Sequence, residues 1–410
     1  MRLLLLLPAL LCAAAALPEP DYRELDRPPH EYHSRQPHDR FTRLKDDLES
    51  GRLAVDRSSE KAFVVSLLGA LEIPVTSQML VFSTTSLQLR LITPSNPRAL
   101  YFNEEIYLGW VPGGRIEVLG LDPELGAIFY IFDPPREAAP VRVERSERCM
   151  NCHAGDDTGR VPGLVVKSVV PGPTGGSLNA FRLGETGHGI PFDQRFGGWY
   201  VTGENKLNTW ANTIGRFSAG QLLKTTIEPG TRFDFARYPV ATSDILPQLL
   251  HEHQAGFVNR VVEAGYRART YLYSDSRNLT PAHAALLDEQ ARLLTRYLLF
   301  ADEAPLSPGM TVDAAFKADF LKTRRAAPGG ASLKDFDLQT RLFRNRCSYM
   351  IYNPVFVGLP PEMKQRIYAQ LRSALSTTQP NAEYSYLPAA EKQVIRTILK
   401  ATLKDLPPQW

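Results

Sequence analysis

Cysteine is scarce: the chain has 4 in 410 residues, and Cys12 falls in an apolar run at the start. The others, Cys149, Cys152 and Cys347, cannot all pair with one another. A chain of this length needs no covalent staples to fold, which argues against a disulfide framework. Charge of one sign is missing as well. With 47 Lys+Arg against 44 Asp+Glu, the formal net charge is +3, too little over this length for the basic footprint of a nucleic-acid binder. The apolar run over residues 3–16 stops short of the roughly 20 residues that cross a bilayer. The glycine pairs Gly113-Gly114 and Gly175-Gly176 lack the strand–turn–helix setting and the Lys-Ser/Thr of a nucleotide loop.

The 43% hydrophobic fraction suffices for substantial cores, and the length predicts two or three domains. Arg2, the apolar run and Ala14-Ala15-Ala16 read as a cleaved secretory signal over residues 1–16. The mature chain is therefore expected in the periplasm or outside the cell, with no transmembrane anchor. Residues 17–58 read as an N-terminal arm that ends in a short amphipathic piece with Phe41, Leu44 and Leu48, and His30, His33 and His38 belong to its polar part. A helix is expected after Ser58 or Ser59, burying Phe63, Leu67 and Leu71 before Pro74 stops it.

Beyond Met79 the pattern changes to short β-branched and aromatic runs, over 80–82, 106–111, 115–119 and 127–132, separated by Gly, Pro and Asp turns. This predicts an antiparallel sheet. From Ser243 onward the chain reads as mainly helical, with Ser243 as a cap and Leu246, Leu250, His253, Phe257 and Val261 recurring at intervals of three or four. Further helices are expected over 286–299 and from Glu362 and Ala390, with another element near Asp335. The expected class is α+β, with a mixed α/β region over 59–242 followed by a mainly α-helical region over 243–410.

The string Arg148-Cys149-Met150-Asn151-Cys152-His153 contains Cys-x-x-Cys-His. Two thiols one helical turn apart can reach both vinyl groups of one haem, and the adjacent imidazole then lies beneath the iron as an axial ligand. One motif implies one covalent haem c, with Cys149 and Cys152 as its attachment points and His153 as the proximal ligand. Two other readings stay open. A redox dithiol would prefer a thioredoxin-like βαβ setting, and a structural zinc site needs four close ligands. Arg148 and Arg160 flank the motif and are candidate partners for haem propionates.

The ligand opposite His153 is not fixed by local spacing. After Met150 the next methionine is Met310, and Met350 and Met363 fall in apolar patterns that suit a core. His253 shares the apolar stripe of its helix, whereas His251 points elsewhere, as a solvated imidazole would. A buried imidazole is costly unless its nitrogens are satisfied, so His253 is a candidate distal ligand. His188 is the rival, in the Gly-rich loop 184–189 that leads to Arg195-Phe196-Gly197-Gly198-Trp199-Tyr200, where Trp199 with Tyr200 would cover a flat cofactor. His283 and Cys347 read as structural, and Glu104 and Glu105 carry no assignment.

On the motif at 149–153 the chain resembles bacterial exported c-type cytochromes. With Glu147-Arg148-Cys149, the string from Phe196 to Gly203, and Glu252-His253-Gln254, it resembles a group of single-haem cytochrome proteins. The strands before Cys149 and Leu164-Val165-Val166 are similar to PAS-like haem-c sensor domains. The resemblance implies that Cys149 and Cys152 attach haem and that His153 ligates iron, while the distal methionine of small cytochromes has no match. The expected function is periplasmic electron transfer with a redox partner protein. Two alternatives remain, a peroxidase-type haem enzyme with an open distal position and a gas or redox sensor that binds a small molecule at the haem.

Overall fold

The apolar runs of the first half build one seven-stranded antiparallel sheet in a computed structural model that describes residues 20–135, 140–180, 187–408 and 410. The expected signal sequence and residues 184–186 of the His188 loop lie outside the described residues. The strands are β1 (Met79–Val81), β2 (Arg98–Phe102), β3 (Ile106–Trp110), β4 (Ile116–Asp122), β5 (Gly126–Phe132), β6 (Glu144–Arg145) and, after two intervening strands, β9 (Trp199–Tyr200). Their order is β6-β5-β4-β3-β2-β1-β9. Short turns join β2 to β3, β3 to β4 and β4 to β5, whereas longer connections over 82–97 and 133–143 join β1 to β2 and β5 to β6. Only β9 returns from a distance to pair with β1, through Leu80 with Tyr200 and Val81 with Trp199. The remaining strands, β7 (Val169–Pro171), β8 (Ser177–Ala180), β10 (Thr213–Ser218) and β11 (Gln221–Thr226), form two separate hairpins.

Successive side chains on a strand point to opposite faces, and here both faces are covered. Leu80, Tyr101, Leu108, Trp110 and Val118 pack against Phe41 of helix α1 (Arg40–Glu49) and Phe63 and Leu67 of α2 (Glu60–Ala70). The α2 start follows the sequence: Ser59 is the cap and accepts from Ala62 N. The other face carries Met79, Phe102, Tyr107, Phe129 and Trp199, and it joins a core shared with the C-terminal helices. The architecture is thus α+β, and its second core runs across position 243.

The helix that meets this face is α4 (Ile245–Ser274), 30 residues long, or about 45 Å at 1.5 Å per residue. Its cap is Asp244, which accepts from Leu246 N. The expected cap, Ser243, is used otherwise: its Oγ donates to Tyr200 O at 2.6 Å and accepts from Leu80 N at 2.9 Å, tying the helix start to the sheet. The other helices are α3 (Met150–His153), α5 (Pro281–Leu298), α6 (Ala314–Leu321), α7 (Pro354–Val357), α8 (Pro361–Ala374) and α9 (Ala389–Thr402). Helices α5 and α8 lie against each other and against α4. With the sheet on one side and helices on the other, α4 is buried around most of its circumference.

That burial corrects two expectations. His251 is not solvated but only 7% exposed, because α4 has no water-facing side at that turn. His30 does not belong to a polar arm. It is buried, stacks on Tyr266 at 4.2 Å, and its Nε2 lies 2.9 Å from Thr270 Oγ1. The element expected near Asp335 is a loop in which Phe336 and Phe343 form an isolated bridge. Among the described residues, no helix is long and apolar enough to cross a membrane.

Candidate functional site

Strand β6 ends the sheet, Ser146 N donates to Phe129 O at 2.8 Å, and a 3-10 turn over Glu147–Cys149 runs straight into α3. Cys149 and Cys152 therefore stand one turn apart, both as free thiols. Cys149 is partly buried against the core face of the sheet, while Cys152 is exposed. Burial pushes the Cys149 thiol above its usual pKa. An attacking redox dithiol needs the opposite, a depressed thiol pKa. Cys347 is fully buried, and desolvation raises its thiol to about 12.

His153 closes the helix with its ring 4.6 Å from that of Phe129. Its Nδ1 lies 2.9 Å from Gly163 O. A carbonyl only accepts, so Nδ1 carries the proton and Nε2 keeps its lone pair. Burial lowers the pKa of the ring and so favours the neutral form. No side chain or backbone group among the described residues engages Nε2.

The Gly163 carbonyl is held from α4. Asn259 Oδ1 accepts from Leu164 N at 2.8 Å, and its Nδ2 donates to Leu164 O at 2.9 Å. Gly163 N in turn donates to His153 O at 2.9 Å. A Cβ on Gly163 would overlap the Asn259 amide, so glycine is required for this close approach. The sequence pattern gave no sign of Asn259 or Gly163, since they lie 106 and 10 positions from His153 and meet it only in the fold.

Arg98 is a third residue missed from sequence. It lies across Gly109, where a Cβ would overlap its guanidinium, and pairs with Glu117. Its Nε is buried with no acceptor. Burial is the largest cause that lowers the pKa of His153 and of His251, and the positive charge of Arg98 adds to it in both. The two flanking arginines singled out from sequence differ from it: Arg148 is exposed, and the exposed Arg160 pairs with Asp156 at 2.8 Å.

Trp199 faces the motif side of the sheet, and its Nε1 donates to Lys167 O at 2.8 Å. Tyr200 takes the opposite face, and its hydroxyl donates to Pro94 O at 2.8 Å. Of that pair, only Trp199 can border a ligand at the motif.

The structure brings the two distal candidates to each other. His188 Nδ1 and His253 Nδ1 are 2.7 Å apart, and His253 Nε2 is 2.7 Å from Ser348 Oγ. Both rings stack with Phe300, and desolvation lowers the pKa of each, the largest cause in both cases. Both His253 nitrogens are thus engaged on the side of α4 that faces the C-terminal helices. Position 251 is 200° away around the helix at 100° per residue, on the side that faces the sheet. Its ring approaches Phe102 at 5.6 Å, Tyr107 at 5.7 Å and Trp199 at 6.4 Å.

The other candidates have structural places. Met350 and Met363 are fully buried core residues. His283 stacks on Tyr271 at 4.2 Å, with Nδ1 2.8 Å from Asp275 Oδ2. Glu104 pairs with Lys334, and Glu105 lies 4.0 Å from Arg40. Among the described residues, no group of three or more His, Cys, Asp and Glu side chains gathers as a metal site. No family model, curated protein or solved structure matches the chain.

Proposed function

We propose that the chain is an exported single-haem c-type cytochrome that transfers electrons to or from a partner protein. The haem is bonded to Cys149 and Cys152, with His153 as a ligand of its iron. The observation that carries this reading is the tautomer of His153: the Gly163 carbonyl takes Nδ1–H and leaves Nε2 as a free lone pair beside two thiols. Such an outer hydrogen bond orients a ligating imidazole and raises its basicity.

Cys149 and Cys152 would hold the haem through thioether bonds, each S–H adding across a vinyl group with no oxidant needed and nothing released. Once bound, the haem iron supplies one-electron chemistry. The protein supplies the rest. Asn259 fixes the peptide whose carbonyl orients His153, and the Arg98 guanidinium, paired with Glu117, would be the cation on the motif face toward which a propionate could turn for a charge-assisted bond. Exposure of Cys152 and Arg148 keeps the motif at the surface, where a redox partner can dock. His188 and His253 are engaged with each other and with Ser348, so they do not form a free acid–base pair for peroxidase chemistry at the motif.

The test is expression of the full chain in a bacterial host that attaches haem to exported proteins. The expected product carries the added mass of one haem, keeps its Soret band after denaturation, and is reduced and reoxidised reversibly. Cys149→Ala with Cys152→Ala should abolish the attachment. Bare polypeptide mass in the wild type overturns the reading, and steady peroxide turnover replaces electron transfer with the enzyme alternative.

A further inference from the structure

We infer that His251 is the second axial ligand of the same iron, opposite His153; this rests on the covalent-haem reading above. The first observation concerns hydrogen bonding. Every other well-buried histidine described here has a ring partner: His30 has Thr270, His188 has His253, and His253 also has Ser348. His251 is 7% exposed, and among the described residues neither of its ring nitrogens has one. Neither nitrogen is a sealed, unpartnered atom of the kind found at His30 Nδ1, so the ring, packed among Phe102, Tyr107 and Trp199, keeps unpartnered nitrogen open to a ligand. A bond from nitrogen to iron would use it.

The second observation is the register of the sheet. Phe102 is paired with Tyr107, Tyr107 with Leu119, and Leu119 with Phe129, which makes one row across four strands on the motif face. His153 stands over Phe129, and His251 stands over Phe102 and Tyr107. Phe129 and Tyr107 are two strand spacings apart, about 10 Å. Leu119 lies between them and Leu100 lies nearby on the same face, and both remain partly exposed in the middle of a sheet whose other face is closed. An apolar floor between two imidazoles suits the edge of a flat macrocycle.

The third observation removes the rivals. His253 has both nitrogens in hydrogen bonds, and it projects from α4 on the side opposite His251. His188 is paired with it. Helix α4 is in turn fixed against the sheet one turn beyond His251, where Tyr107 Oη donates to Gln254 Oε1 at 2.7 Å and Gln254 Nε2 donates to Tyr349 Oη at 2.9 Å.

The test uses the haem-loaded full chain and reads spin state by absorption and electron paramagnetic resonance, together with carbon monoxide binding to the reduced form. The wild type is expected to be low-spin in both oxidation states and to bind carbon monoxide slowly. His251→Ala should lose the low-spin signal and bind carbon monoxide rapidly, and added imidazole should restore the low-spin state. His251→Gln preserves side-chain volume and polarity and should show the same loss, which separates ligation from packing. His253→Ala should leave the spin state unchanged. A low-spin spectrum in either His251 variant overturns the assignment while leaving the attached haem, measured by mass, intact. A wild type without haem overturns the reading beneath it instead.

Discussion

The Asn259 clamp yields a quantitative prediction. Its side chain supplies the partners for both backbone groups of Leu164, which is 2% exposed. Asn259→Leu keeps the volume and leaves a buried N–H and a buried C=O unpaired, at about 1–3 kcal/mol each, so a total loss of about 2–6 kcal/mol is expected. The gain from burying a leucine offsets part of it. The measurement is urea unfolding of the haem-free full chain followed by circular dichroism, reading the shift in midpoint at constant slope. Gly163→Ala sharpens the test, because its new methyl group overlaps the Asn259 amide. The alanine should be costly in the wild type and less costly in an Asn259→Ala background, where only the Thr158 Cβ at 3.1 Å still crowds it, a coupling of about 0.5–3 kcal/mol for residues in contact. Additive effects, or a loss below about 0.5 kcal/mol in Asn259→Leu, would refute the clamp and with it the account of how the His153 tautomer is set.

Three further outcomes are expected. Burial lowers the pKa of His30 to about 3, whereas the unfolded chain protonates it near pH 6.5. Its contribution is therefore present above about pH 6.5 and lost as pH falls from there toward 3. His30→Phe should flatten the acid limb of the stability curve by about 1.4 kcal/mol per pH unit over that window. Asp244 and Glu303, raised by burial to about 6 and about 7, act in the opposite direction but equally in both proteins, so they cancel in the difference. In the haem-free chain, Ellman's reagent should label Cys152 first, Cys149 slowly and Cys347 only after denaturation. Labelling of Cys347 in the folded protein contradicts its burial. Gly126 has φ +79°, and a Cβ there would meet Pro162 O at 2.7 Å. Gly126→Ala should cost about 1–3 kcal/mol, measured by the same urea titration, and an unchanged midpoint rejects the close approach of the loop beside the motif.

Local chemistry was legible wherever neighbours in sequence are neighbours in space. The Ser59 cap, the hairpin strands and the spacing of Cys149, Cys152 and His153 within one helical turn all follow from short-range geometry. Periodicity failed at α4 for a physical reason. It separates a buried face from a wet one, and a helix covered by a sheet on one side and helices on the other has no wet face at that turn, so His251 and His253 could not be sorted by pattern. The cap at Ser243 was displaced by one residue because long-range bonds to Leu80 and Tyr200 claimed its hydroxyl.

The sequence by itself determined the α+β order of elements and the close set of two thiols and one imidazole, because a turn of helix fixes such spacing without help from the rest of the chain. Only the tertiary structure decided which carbonyl takes the His153 proton, which arginine lies on the motif face and which histidine faces the sheet. Those choices depend on strand register and on the rotation of one buried helix, which are set by packing between residues far apart in the chain.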